Sequence, residues 1–245
     1  MCARPAWALL ALTLPSVDES WLAAFAAGFC KLARAHNVAL VGGDTTSGPL
    51  CITVQVLGHA PASQALLRSG GKAGDLLFVS GTPGDAVAGL AIEQGKLHVD
   101  NPQHATYLRE RFLFPTPRLE LGERLRAYAS ACIDVSDGLL GDAGKLAKAS
   151  ACGVDIDFLS LPVSTPLVAT AGDEQARRLA LIGGDDYELC FAVPPAALEA
   201  LQRDLPPDEW GYRRIGRLHA VSGSRVTRAG TVMEFSHAGF DHFGR

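Results

Sequence analysis

The stretch ACIDVSDGLLGDAGK, residues 131–145, sets three carboxylates, Asp134, Asp137 and Asp142, among small and apolar residues. Its first half, CIDV from Cys132, has the composition of a short buried strand. From Gly138 the run GLLGDAGKLAKA has the apolar spacing of a helix. Asp134 therefore closes a strand and Asp137 opens a helix. A strand-to-helix turn is where α/β proteins commonly bind ligands, outside the carboxyl ends of the strands. Two neighbouring carboxylates repel unless one is protonated or a cation bridges them. Magnesium suits such a pair: it takes one or two carboxylates, keeps several waters and completes its shell with substrate phosphates. Ser136, between the two acids, can bond a phosphate or cap the helix. Spacing alone leaves this reading level with a plainer one, a helix cap beside a solvated neighbour. An EF-hand loop is excluded, because its fifth position would be Gly138 and its twelfth Lys145 rather than Glu.

The alternation of strand and helix extends to both sides. Trp7 to Leu14 reads as a buried strand. Ser16 and Glu19 then sit at capping-box spacing, and Trp21, Leu22, Phe25, Phe29 and Leu32 recur at helical intervals. NVALVGGDTTSG, residues 37–48, reads as a short apolar strand broken by two glycines and an aspartate. The β-branched PLCITVQVLGHA, residues 49–60, reads as another strand. The order to this point is β-α-β-β.

A second unit begins near LLRSGG, residues 66–71. Leu76 to Val79 form a buried strand, SGTPGD a turn, and an Ala-rich helix follows. A further helix starts after Pro115 and Pro117, GVDIDF from Gly153 is a strand, and residues 174–194 supply a helix, a Gly-Gly turn and a strand. The expected organisation is two α/β units, 1–67 and 68–245.

With 48% hydrophobic and 20% charged residues the chain has the composition of a soluble globular protein. Its 22 basic and 26 acidic side chains show no basic run, which argues against a nucleic-acid surface. No apolar run has membrane-spanning length, and the opening MCARPAWALLALTLP only faintly imitates a signal peptide, with a basic region of one arginine and no clear small-residue cleavage site. Six scattered cysteines without a CxxC pair read as reduced core residues, and a cytoplasmic location is expected.

VGGDTT (41–46) and IGGDDYE (182–188) repeat one local idea, an apolar segment, two glycines and an acid. Glycines let a backbone approach an anion and present N–H groups to it. Asp44 is a further candidate magnesium ligand, and Asp185 and Asp186 are candidates for a metal or a cationic substrate group. Gly-Asp is also ordinary turn chemistry. VSGTPGDA lacks the Lys-Ser/Thr ending of a P-loop and reads better as a helix start with Asp85 in its first turn. Arg68 lies between the units, as a phosphate fork or a surface arginine. Seven histidines form no HExxH, and no GxSxG elbow exists. Transfer of phosphate onto a phosphate fits this poverty of bases, because the acceptor, with a second pKa of about 6, is already largely ionised. Such transfer needs charge neutralisation and in-line positioning.

ALTLP, VGGDTT, LLRSGGKAGDLLFVSGTPGDAVAGLAI, IDVSDGL, GGDDYELCF and the closing GFDHF, in this order, resemble thiamine-monophosphate kinase along nearly the whole chain. The resemblance implies phosphorylation of thiamine phosphate to thiamine diphosphate by in-line transfer from ATP, with Mg2+. It implies the two-domain AIR synthetase-like fold, an α/β (α+β) architecture with a partial N-terminal ATP-binding domain and a complete C-terminal α/β domain. The full-length form would be a homodimer joined through its N-terminal domains. Carried over by position, Asp44 and Asp134 are magnesium ligands and Asp137 serves another magnesium. Gly43, Asp44, Arg68 and Ser136 contact the nucleotide. Asp185 falls where the family commonly has glutamate near the thiamine phosphate, and Phe240 where an aromatic residue packs on the thiamine rings. No general base is assigned, and Asp142, outside the motif, is expected to be a solvated surface residue. The family's opening segment, with a Gly-Asp-Asp motif and further ligands, precedes the region that Met1 matches. The chain is therefore expected to be an N-terminally truncated member holding half of a metal site. The alternatives are another ATP-dependent enzyme of the superfamily, or a non-catalytic fragment that binds nucleotide or dimerises.

Overall fold

The structure, a computed structural model, describes residues 2–240. It divides into two compact units, one from Ala3 to Ala65 and one from Leu66 onward together with Cys2.

The first unit contains β1 (Arg4–Leu14), α1 (Glu19–Ala35), β2 (Ala39–Ser47) and β3 (Cys51–His59), in the sheet order β2-β1-β3. β1 pairs parallel with β2 and antiparallel with β3. Parallel neighbours need a crossover, which α1 supplies. Ala8, Leu12 and Leu14 are buried on one face of β1, as period-2 alternation requires, while Trp7 on the other is half exposed. The cap of α1 is Asp18, whose carboxylate accepts the Ser20 and Trp21 amides at 3.0 Å each. This corrects the Ser16–Glu19 box: the helix begins at Glu19, beyond the reach of Ser16. Trp21, Phe25 and Phe29 stack along the helix, but no residue of α1 is fully buried.

β2 runs unbroken through Gly42, Gly43 and Asp44, which also corrects the sequence reading. A register irregularity between Ala8 and Leu9 accommodates it. At Gly43, with φ +154°, an added Cβ would lie 1.8 Å from the Leu10 carbonyl oxygen, so the close approach that glycine permits is to the neighbouring strand. β2 and β3 are exposed along their length, including Leu40, Val41, Ile52, Val54 and Val56.

The second unit runs β4 (Leu76–Ser80), α2 (Asp85–Glu93), α3 (Pro102–Leu113), α4 (Leu119–Leu125), β5 (Ala131–Val135), α5 (Leu139–Ala149), β6 (Gly153–Asp157), α6 (Thr165–Ala171), α7 (Asp173–Ile182), β7 (Glu188–Val193), α8 (Leu198–Asp204), α9 (Pro207–Trp210), β8 (Tyr212–His219), β9 (Gly223–Arg228) and β10 (Thr231–Met233). Its seven strands lie in the order β10-β9-β6-β8-β4-β7-β5. Among the described residues of this sheet, β6 and β9 are the one parallel pair. β4 and β7 are buried at every position, because helices cover both faces. On one face Leu77, Val79, Ile133, Val135 and Cys190 meet Leu139, Ala143 and Leu146 of α5. On the other, Phe78 stacks on Phe191 at 5.4 Å with Tyr212 edge-on to both, beside Leu121, Leu125 and Leu201. Three cysteines, Cys132, Cys152 and Cys190, are core residues as expected, whereas Cys51 is exposed.

One pairing positions the site. β5 and β7 are antiparallel, with Val135 opposite Glu188 and Asp134 opposite Leu189. The carboxyl end of β5 therefore lies beside the amino end of β7, and DVSDG meets GGDDYE.

Candidate active site

β5 ends at Val135, residues 136–138 turn, and α5 begins at Leu139. Gly138 adopts φ +127°, and a Cβ there would meet the Ile182 carbonyl oxygen at 2.9 Å and Gly239 Cα at 3.1 Å. Gly138→Ala is expected to cost about 1–3 kcal/mol in urea unfolding, the range for a side chain forced into a sparsely populated backbone region.

The turn is held by Asp142. Its Oδ2 accepts the Ser136 amide at 2.9 Å and the Asp137 amide at 3.0 Å, and its Oδ1 accepts Lys145 Nζ at 2.9 Å. Lys145 Nζ also reaches Asp137 Oδ2 at 2.6 Å. Asp142 is only 1% exposed, so its expected solvation is overturned. Helical side chains tilt toward the N-terminus, and from the first turn of α5 this one reaches back over residues 136 and 137. A signal was present: Asp142 shares the buried stripe of Leu139, Ala143 and Leu146.

The loop before β7 extends the ladder past the strand end. Tyr187 donates its amide to the Val135 carbonyl at 2.8 Å, and Asp185 donates its amide to the Ser136 carbonyl at 2.9 Å. Asp185 and Tyr187 both take left-handed φ values, +67° and +52°, so backbone strain is stored beside the turn. Burial holds the Tyr187 phenol above its usual range, and Asp185, Asp134 and Asp137 add to this. Sequence reasoning gave Tyr187 no role. From the other side the Phe240 amide donates to the Asp137 carbonyl at 2.7 Å, with the ring exposed. The rest of the closing GFDHF lies outside the described residues.

Arg68 arrives along the open edge of β5. Leu67 accepts the Cys132 amide at 3.0 Å, Ser150 Oγ donates to the Arg68 carbonyl at 2.8 Å, and Arg68 Nη2 lies 3.7 Å from Asp134 Oδ1. The structure thus gathers Asp134, Ser136, Asp137, Asp185, Arg68 and Phe240 around one turn. Gly43 and Asp44 belong to the first unit, on β2, where Asp44 Oδ1 accepts the Thr45 amide at 2.8 Å.

Asp186 does not join this group. It is fully buried and accepts the Gly84 amide at 2.8 Å and the Ala86 amide at 3.2 Å, capping α2. Those N–H groups belong to VSGTPGDA, residues 79–86, which begins a helix with Asp85 in its first turn. Asp85 is itself buried, held by Thr82, Tyr107 and Ser164. Beside it Glu188 binds Arg111 and Arg118. Asp85 and Asp186 thus lie within electrostatic reach of Arg111, whose direct partner is Glu188. Burial pushes the Asp186 carboxyl from 3.8 up to about 8, so it retains a proton at neutral pH. The folded state then holds this proton where the unfolded chain has released it. Stability from this group is present below about pH 4 and is lost progressively as pH rises to about 8. Asp186→Asn is expected to flatten that fall, measured as urea-unfolding stability across the same pH range.

Asp134 faces Arg68, Asp137 and Asp142 share Lys145, and Asp185 lies by Tyr187, so carboxylates outnumber cations around the turn. Among the described residues no three Asp, Glu, His or Cys side chains form a self-sufficient metal cage. Hard carboxylate oxygens on a partly exposed turn fit a magnesium ion that takes few protein ligands and fills its shell from phosphate and water.

Two domain descriptions match the chain: AIR synthase related protein, N-terminal domain, over residues 1–60, and the corresponding C-terminal domain over residues 72–228. Fold and site therefore define an AIR synthase related protein. Thiamine-monophosphate kinase of Salmonella typhimurium is 47% identical over 244 residues, covering 99% of this chain and 75% of that protein. The crystal structure of the kinase from Stenotrophomonas maltophilia K279a matches with TM-score 0.86 and 44% identity, over 95% of this chain and 74% of that one. AaThiL complexed with AMPPCP and TMP matches with TM-score 0.85 and 30% identity, over 99% and 75%. The chain belongs to the thiamine-monophosphate kinase family and spans about three quarters of the length of these relatives.

Proposed function

We propose that this protein transfers the γ-phosphoryl group of ATP to thiamine phosphate, giving thiamine diphosphate, at the β5–α5 turn. The observation that carries the reading is the convergence of DVSDG and GGDDYE on one rim through the antiparallel β5–β7 pairing. It is supported by the family, one member of which was solved with AMPPCP and TMP.

In this reading Asp134 and Asp137 are magnesium ligands, and Arg68 and Ser136 contact the nucleotide, Arg68 as a fork for phosphate oxygens. Within the first unit, Asp44 is read as a magnesium and nucleotide ligand and Gly43 as a nucleotide contact. Asp185 lies by the thiamine phosphate, and Phe240 offers its exposed face to the cationic rings. Bound magnesium supplies charge neutralisation at the transferring phosphoryl group. The acceptor phosphate is ionised at neutral pH, so no residue is needed as its base. Residues 1–67 are read as the N-terminal AIR synthase related domain and 68–245 as the C-terminal one, in keeping with the matches over 1–60 and 72–228. The active form is a homodimer, supported by the exposed apolar positions of β2 and β3. A cytoplasmic location is supported by six unpaired cysteines.

The test is to incubate the full chain with ATP, magnesium and thiamine phosphate and follow thiamine diphosphate by chromatography. Product should require all three components and stop on addition of EDTA. ATP hydrolysis without thiamine diphosphate overturns the reading.

A further inference from the structure

Asp142 and Lys145 are in no proposed ligand set, yet the turn is assembled on them. One buried carboxylate takes two successive main-chain amides, and its other oxygen holds an ammonium that reaches on to Asp137. Water cannot substitute for these bonds at a group 1% exposed, so their loss would leave the turn amides without acceptors. Lys145 engages Oδ2 of Asp137 and leaves Oδ1 as the oxygen free of the lysine. Outer partners of this kind orient ligating carboxylates.

We infer that Asp142 is a positioning residue for the magnesium–nucleotide site, setting the backbone of Ser136 and Asp137 directly and the Asp137 side chain through Lys145, an inference that rests on the proposed ligand role of Asp137. Lys145 is the arm of this device and not a competitor for the cation. The two roles predict opposite signs. Removing an ammonium beside a cation site strengthens cation binding if charge alone matters. It weakens binding if the ammonium orients the ligand.

The experiment titrates Mn2+ into the full-length chain, followed by electron paramagnetic resonance, for wild type, Asp142→Asn, Lys145→Met, Lys145→Arg and Lys148→Met. Asp142→Asn and Lys145→Met should weaken Mn2+ binding about tenfold or more. Lys145→Arg should recover part of the loss, and Lys148→Met, the same charge removed from the same helix, should bind as wild type. Lys145 is 48% exposed on its side chain, so Lys145→Met should melt near wild type even if Asp142→Asn is poorly folded. Wild-type or tighter Mn2+ binding by Lys145→Met overturns the inference. So does a folded Asp142→Asn that loses thermal stability but keeps wild-type affinity. Absence of Mn2+ binding by the wild type overturns the ligand reading itself, and this inference with it.

Discussion

Glu188→Ala is expected to destabilise the second unit by about 3–5 kcal/mol, the usual consequence of removing one partner from a buried ion pair. Glu188 is fully buried, and its carboxylate accepts Arg111 Nη2, Arg118 Nε and Arg118 Nη2, each at 2.7 Å, together with Ser80 Oγ. Ser80 Oγ in turn accepts the Leu189 amide at 2.9 Å, so the network ties β4 to β7. Without the carboxylate, two guanidiniums with side chains 13% and 26% exposed lose their counter-ion. The midpoint of thermal unfolding should fall by roughly 6–20 °C for a unit of this size. Glu188→Gln, which keeps the shape and one acceptor oxygen, should fall between alanine and wild type. A loss below about 1 kcal/mol in Glu188→Ala would mean that water or another acid rescues the arginines.

The second large effect is catalytic. Asp134→Asn should lower kcat by at least about 100-fold, the scale for removing one electrostatic group aimed at developing charge. Folding should survive. The Asp134 side chain is 36% exposed and its 3.7 Å contact with Arg68 is a solvated pair worth little stability. Asparagine keeps the shape at the end of β5 while losing the charge a cation needs. Wild-type turnover in Asp134→Asn would remove the metal-ligand role.

These two residues also show what was legible in the sequence. Asp134 stood out because the period changes from two to 3.6 within four residues of it, which marks a strand end facing a helix start. β4 and β7 were legible as short continuous apolar runs, the signature of strands covered on both faces. Asp142 was misjudged because a carboxylate in a helix suggests solvent, although its place on the apolar stripe said otherwise. Asp186 gave no local clue. Its partners, Gly84 and Ala86, lie about a hundred residues away and become neighbours only when β4 pairs with β7. The cap of α1 was ambiguous for another reason: Ser16 and Asp18 both satisfy capping rules, and only the helix start at Glu19 chooses between them. α3 was not foreseen, since it buries Leu108 alone and carries no broad apolar stripe. β8 was missed as well, its apolar positions being interleaved with arginines.

The proposed reaction requires the β5–α5 turn to bind magnesium nucleotide and, beside it, thiamine phosphate. Calorimetric titration of thiamine phosphate into the full chain saturated with magnesium and AMPPCP tests this most directly. Saturable binding that is lost in EDTA and in Asp134→Asn is the predicted result. Absence of binding, or binding indifferent to both the chelator and the substitution, would contradict it.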